Sequence, residues 1–356
     1  MTSPSRRAHV VGVGLIGASL ARALSALGWL VTGQDHDPQV VSGATAAGII
    51  VGDAGHEDTS LVIVATPAGT VVEAVREALA RFASPELIVT DVAGVKETIV
   101  AQLDDARFLG GHPMAGSEQR GWRGSRADMF RGCTWVLTPT DATRATTYSR
   151  LHGILRELGA NVVAVSPSDH DRLVALASHV PHLVAGALMN EATLAAEQDA
   201  VLLQLAAGGF RDMTRVAAGD PAIWPDVLIE NRDAVVEALD RLVDRLEGLR
   251  DAIDTGARLS LAADLRAASS ARRQLPGRAL SSESLAYLRV GVSDQPGQLA
   301  SVTRAASEML VNIYDIEIAH GIEGTSGTLL LALDVAQVEA LAGELGRLGF
   351  SVAVEA

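Results

Sequence analysis

The sequence predicts an α/β chain: a parallel sheet with crossover helices at the N-terminus, an all-helical middle and a small βαββαβ module at the end. Three observations carry this. Short apolar runs alternate with helical patterns up to about residue 165, as parallel strands and their crossovers do. From 169 to 265 the chain is Ala- and Leu-rich, with almost no strand pattern. After an Arg-, Ser- and Ala-rich stretch that contains Pro276-Gly277, strands and helices alternate again. These shifts divide the chain into residues 1–168, 169–265, a linker at 266–284, and 285–356.

The elements follow in order. Residues 8–14 read as a buried strand entering a glycine turn, Leu15–Leu27 as a helix, and Leu30–Gln34 as a second strand ending at Asp35. Apolar bursts at Leu61–Ala65, Leu87–Thr90 and Phe108–Gly110 continue the sheet, with helices at Val71–Phe82 and Val95–Leu103. Trp135–Leu137 and Asn161–Val165 extend it. Ser166-Pro167-Ser168-Asp169 is a helix start: a capping hydroxyl, a proline in the first turn and an acid at the positive helix end. Leu239, Leu242, Leu246, Leu249 and Ile253 recur at steps of three and four. That stripe is either an amphipathic core face or a subunit seam. In the tail, strands are read at Tyr287–Val292, Val311–Ala319, Gly327–Leu333 and Ser351–Val354, and helices at Gly297–Glu308 and Val335–Leu348.

Composition narrows the function. The chain has 356 residues, 48% of them apolar, and a formal charge of −14. It lacks the basic face that a nucleic-acid backbone requires. A single cysteine, Cys133, permits no internal disulfide and fits a reducing compartment. No secretory signal is read at the N-terminus, and no uninterrupted apolar stretch is read as long enough to span a bilayer. The expectation is a cytoplasmic protein with no membrane partner and no metal site.

Gly12-Val13-Gly14-Leu15-Ile16-Gly17 matches the G-x-G-x-x-G pattern between a strand and a helix, the fingerprint of a Rossmann-type dinucleotide site. Gly12 permits the turn, Gly14 the approach of a pyrophosphate, and Gly17 close helix–strand packing. The helix N-terminus supplies amides and a positive dipole. Asp35 ends the second strand, where a carboxylate accepts from a ribose 2′-hydroxyl and repels a 2′-phosphate, so NAD is favoured over NADP. Thr66-Pro67 and Asp91, at the ends of later strands, are further cofactor candidates.

Gly110-Gly111-His112-Pro113-Met114-Ala115-Gly116-Ser117-Glu118 puts a histidine at a strand's C-terminal end, in a glycine-flanked loop. There it can accept a proton from a hydroxyl as hydride leaves the adjoining carbon. With Ser178-His179-Val180-Pro181-His182, with Gly208-Gly209-Phe210-Arg211-Asp212-Met213-Thr214-Arg215, and with Asp220-Pro221 and Trp224, this segment resembles the prephenate/arogenate dehydrogenase family over roughly residues 8–255. The resemblance implies NAD-dependent oxidative decarboxylation of prephenate in tyrosine biosynthesis. His112 would take the proton of the ring hydroxyl. Arg215 would bind the ring carboxylate and His182 the side-chain carboxylate. Ser178, four residues from His182 on the same helix face, His179, Gly208, Glu118 and Trp224 would complete the pocket, with Asp171 tuning it. The family's D-x-x-S-V-K reads Asp91-Val92-Ala93-Gly94-Val95-Lys96, so Gly94 replaces a serine.

Asp294-Gln295-Pro296-Gly297, followed by Asn312 and Ile313, resembles the ACT domain. That resemblance implies a regulatory module taking L-tyrosine at these residues, within a homodimer. Alternatives are an arogenate or 4-amino-4-deoxyprephenate dehydrogenase, or an amino-acid sensor whose catalytic site has decayed.

Overall fold

The computed structural model describes residues 6–53, 55–82, 84–116, 119–199, 201–221, 223–274, 285–293, 295, 297–320 and 326–355. They form two compact units. One comprises Met1–Asp171, Ala222–Glu230 and Ser284–Ala356, the other Arg172–Pro221 and Asn231–Glu283.

The first unit is built on seven strands: β1 (Arg7–Val11), β2 (Leu30–Gln34), β3 (Leu61–Val64), β4 (Ile88–Asp91), β5 (Phe108–Pro113), β6 (Thr134–Thr138) and β7 (Asn161–Ala164). Their order is β2-β1-β3-β4-β5-β6-β7. Every residue of β3 and of β4 is buried, as in strands covered on both faces. The intervening helices are α1 (Leu15–Ala26), α2 (Pro38–Ala46), α3 (Val71–Arg81), α4 (Glu97–Val100) and α5 (Ala145–Glu157). Strand order reverses at β1, so the ends of β1, β2 and β3 frame a crevice at a topological switch point, where open α/β sheets bind ligands.

The expectation of a wholly parallel sheet is corrected at one place: β5 and β6 are antiparallel. Between them the described chain forms only a single 3₁₀ turn, Trp122–Gly124. Without a crossover helix the chain does not return to the end from which a parallel strand would start.

Eight further helices follow in chain order. They are α6 (Pro167–Val174), α7 (Val180–Ala196), α8 (Leu202–Leu205), α9 (Gly208–Thr214), α10 (Trp224–Glu230), α11 (Arg232–Asp254), α12 (Arg258–Gln274) and, in the tail, α13 (Gln298–Glu308). The start of α6 is capped as the sequence implied: Ser166 Oγ accepts from the Asp169 amide at 3.1 Å and donates to Asp169 Oδ2 at 2.6 Å. Between α6 and α7 the helix widens into a π turn, Ala175–His179. Pro181 has no amide hydrogen for a regular i→i−4 bond, and such insertions recur at functional sites.

Two expected boundaries shift. The first turns of the expected linker are helical, because α12 continues to Gln274. Within the expected helical domain, Ala222–Glu230 groups instead with the first unit. One helical run, Pro167–Ala196, is by length and composition apolar enough to cross a membrane, although it is interrupted by polar residues such as His179, His182 and Asn190. Along α11 the predicted stripe is half-buried at Leu239, Leu242 and Leu249 and exposed at Leu246 (53%) and Ile253 (66%).

The tail adds α14 (Val338–Arg347) and four antiparallel strands, β8 (Leu285–Ser293), β9 (Ile313–His320), β10 (Ser326–Asp334) and β11 (Ser351–Glu355), ordered β11-β8-β10-β9. Its apolar residues Ile313 and Ile316 join the same core as Tyr148, Leu151 and Leu155 of α5. Asp315 of β9 is bonded to His152 Nε2 at 2.9 Å and to the Arg156 guanidinium. Tyr148, His152 and Arg156, spaced by four, thus present one face of α5 to β9.

Candidate active site

The glycine turn after β1 has the shape the fingerprint requires. Gly12 sits at φ +90°, and a Cβ there would lie 2.5 Å from the Ala65 carbonyl oxygen; one at Gly17 would lie 1.9 Å from the Gly12 carbonyl oxygen. Gly14, the N-cap of α1, has open space where its side chain would be. Leu15 and Ile16 open the helix, half-buried. Asp35 follows β2 and is turned onto this loop: Oδ2 accepts from the Val13 amide at 2.8 Å and Oδ1 from the Asp37 amide at 3.1 Å. Thr66, with Pro67 beyond β3, carries a buried hydroxyl that makes no hydrogen bond among the described residues. An open glycine N-terminus, an anchored carboxylate and an unsatisfied hydroxyl at one crevice fit a dinucleotide's pyrophosphate and ribose.

Asp91 is corrected from its cofactor role. Its side chain is fully buried. It holds the Lys96 ammonium and accepts from the Ala93 amide at 3.0 Å and the Gly111 amide at 3.2 Å. Burial pulls Lys96 below the usual lysine range, against the pull of Asp91 and Asp171. Asp91 therefore stiffens the strand that carries His112. The neighbouring glycine is needed for the same packing, since a Cβ at Gly111 would meet the Asp91 carbonyl oxygen at 2.9 Å and Trp135 Nε1 at 3.0 Å.

His112 lies within β5 rather than in the loop after it. Its Nδ1 is 2.8 Å from His170 Nε2, and His170 Nδ1 is 2.7 Å from Asp171 Oδ1. Asp171 accepts the Lys96 amide on Oδ1 and the Glu97 amide on Oδ2, each at 2.8 Å. Burial, with Lys96 adding to it, holds His170 below the ordinary histidine value. Sequence reasoning missed His170: it is 58 positions from His112 and was read only as part of a helix start. Beside the ring, a Cβ at Gly94 would lie 3.8 Å from His112 Nε2 and 3.8 Å from Val227 Cγ1 of α10. Trp224 opens that helix, half-buried.

Ser178, His179, His182, Gly208 and Arg215 belong to the second unit. His179 is buried, and the Asn231 amide lies 3.2 Å from its Nδ1. Ser178 falls in the π turn, whose i→i+5 bonding removes it from a regular four-residue alignment with His182. Burial lowers the His182 pKa. Gly208 begins α9 with nothing near its Cβ position, and Arg215 is exposed. Glu118, Asp294 and Pro296 lie outside the described residues. Gly297, at φ +88°, caps α13 and Asn312 is exposed. The Ile313 side chain lies in the core. Cys133 is held near a pKa of about 11 by burial, unsuited to act as a thiolate at neutral pH.

A histidine at the end of a strand of a glycine-fingerprint sheet defines an oxidoreductase working with a bound dinucleotide. Two family models match the chain: the nucleotide-binding domain of prephenate dehydrogenase over residues 20–164 and its dimerization domain over 166–267. The Bacillus subtilis (strain 168) prephenate dehydrogenase is 30% identical over 336 residues, 91% of each chain. Among solved structures, prephenate dehydrogenase from A. aeolicus, in complex with hydroxyphenyl propionate and NAD+, aligns at TM-score 0.71 and 31% identity. That alignment covers 77% of this chain and 99% of that one. Synechocystis arogenate dehydrogenase aligns at TM-score 0.66 and 30% identity, over 75% and 99%. The chain belongs to the prephenate dehydrogenase family, and its cofactor is NAD.

Proposed function

We infer that the chain oxidatively decarboxylates prephenate to 4-hydroxyphenylpyruvate. The observation that carries this is His112, set on a rigid strand of the NAD-binding sheet, with its Nδ1 engaged by a second imidazole. NAD, when bound, supplies the hydride acceptor. His112 orients the ring hydroxyl and takes up its proton as the C4 hydride departs. The C1–carboxylate bond breaks, its electrons enter the ring, and the oxygen regains the proton as the phenol forms. A positioned base contributes about 10² to 10⁴ in rate. Arg215 is assigned the ring carboxylate, which a guanidinium can grip with two parallel bonds, and His182 the side-chain carboxylate. Glu118, Ser178, Gly208 and Trp224 are assigned the pocket wall.

The tail is assigned as an ACT-type regulatory module responding to L-tyrosine. Its strand order and the left-handed Gly297 cap support this. The exposed Leu246 and Ile253 of the α11 stripe support a homodimer, and the composition supports a cytoplasmic setting.

The test is NADH formation with prephenate and with arogenate, each offered NAD and NADP, for the wild type and His112→Asn. Turnover of prephenate with NAD, lowered at least about 10²-fold in the variant, is the expected result. Turnover of arogenate alone would move the substrate. No turnover with either, despite NAD binding, would refute the assignment.

A further inference from the structure

We propose that His170 is the positioning residue for His112, fixing the imidazole in the tautomer whose Nε2 accepts the substrate's proton. This deepens the reading of His112 as proton acceptor and rests on it. The argument runs outward from the helix start. The Lys96 and Glu97 amides can only donate, and both donate to Asp171, at 2.8 Å each. With two donors already on its oxygens, the carboxylate takes a third from His170 Nδ1, at 2.7 Å. The His170 proton therefore sits on Nδ1. A neutral imidazole carries one proton, so its Nε2 is an acceptor. Across 2.8 Å it faces His112 Nδ1, which must then be the donor. His112 Nε2 is left as the ring's accepting nitrogen, on the edge that faces Gly94.

Each link depends on His170 staying neutral. The charged groups around it are Asp171 of its own helix, Lys96 ahead of α4 and Asp91 of β4; His112 of β5 is the other titratable neighbour. Burial and Lys96 disfavour the imidazolium, while Asp171 and Asp91 oppose them. Residue 94, a glycine, brings no side-chain donor or acceptor that could select the tautomer from the substrate side. The selection comes from behind the ring, through the hydrogen bond the other nitrogen makes.

The experiment is ¹⁵N NMR of the histidine-labelled, NAD-bound enzyme, with the His112 signals assigned by their loss in His112→Asn. It is combined with kcat and KM for His170→Leu and His170→Gln. In the wild type the His112 proton is expected on Nδ1. Leucine offers no acceptor, so kcat falls roughly 10²-fold, the low end of what a positioned base contributes. KM changes little, and His112 becomes a mixture of tautomers. Glutamine offers its Oε1, so it retains the Nδ1–H form and most of kcat. A wild-type His112 protonated on Nε2, or a His170→Leu enzyme with wild-type kcat, overturns the proposal, whatever His112→Asn shows about the reaction itself. If His170→Leu fails to fold, the wild-type spectrum and His170→Gln still decide.

Discussion

Lys96 and Asp91 form an ion pair in which neither side chain is exposed to solvent. The pair ties the segment ahead of α4 to the strand beneath His112, because Asp91 also holds the Gly111 amide. Removing one partner leaves an uncompensated buried charge, which costs about 3–5 kcal/mol. Lys96→Met is expected to lower unfolding free energy by that amount, read from urea midpoints. A loss below about 1 kcal/mol would mean that the pair adds nothing to the frame. Lys96→Met with Asp91→Leu is expected to recover only part, since two backbone amides lose their acceptor.

Nothing in the backbone demands a glycine at position 94. A Cβ there meets His112 and Val227 only at ordinary contact distance. Gly94→Val is therefore expected to fold with nearly wild-type stability while its methyl groups crowd His112. Displacing a reacting group by about 1 Å costs on the order of 10²-fold, so kcat/KM for prephenate falls by about that factor. An unchanged kcat/KM would show that the space beside Nε2 is not used.

Asp35 is placed to choose the cofactor. Asp35→Asn removes the charge that repels a 2′-phosphate and weakens the acceptor for the Val13 amide. A hydrogen bond to a charged group is worth about 1.5–3 kcal/mol. The expected outcome is a rise in KM for NAD of at least about tenfold, with measurable turnover of NADP. Retention of full NAD preference would reassign the discrimination to another residue.

His9 makes stability depend on pH. It is buried in β1, with Nδ1 2.8 Å from Thr32 Oγ1 and Nε2 3.2 Å from Gln34 Oε1. Burial lowers it from 6.5 to about 4 in the folded chain. Between those values the unfolded chain binds a proton that the folded chain does not. The contribution of His9 is complete above pH 6.5 and is lost as pH falls toward 4, by up to about 3 kcal/mol. Urea unfolding across that window is expected to show stability rising with pH, with a shallower slope in His9→Gln. Equal slopes would place the dependence elsewhere.

The fold classes were legible because each rests on local information. Buried strands leave apolar runs, a dinucleotide turn needs glycines at fixed offsets, and Ser166-Pro167 with Asp169 marks a helix start in four residues. The candidate site was legible wherever a motif is contiguous, as for Gly12–Gly17 and the segment around His112. It was not legible where a role depends on which way a side chain turns. Asp91 ends its strand as a cofactor ligand would, yet its carboxylate is buried against Lys96. Ile313 follows Asn312 into an effector motif, yet strand alternation sends it into the core.

By itself, then, the sequence determined the chain order of the strands, the glycine turn, the choice of NAD and the position of His112, because propensity and spacing are properties of neighbouring residues; the helices Pro38–Ala46 and Ala145–Glu157 were not read from it. Only the tertiary structure decided that β6 runs antiparallel to β5, that Asp91 serves the frame, and that His170 and Asp171 stand behind His112. Those relations join residues far apart in the chain, and they exist only once β4, β5 and the start of α6 have packed together.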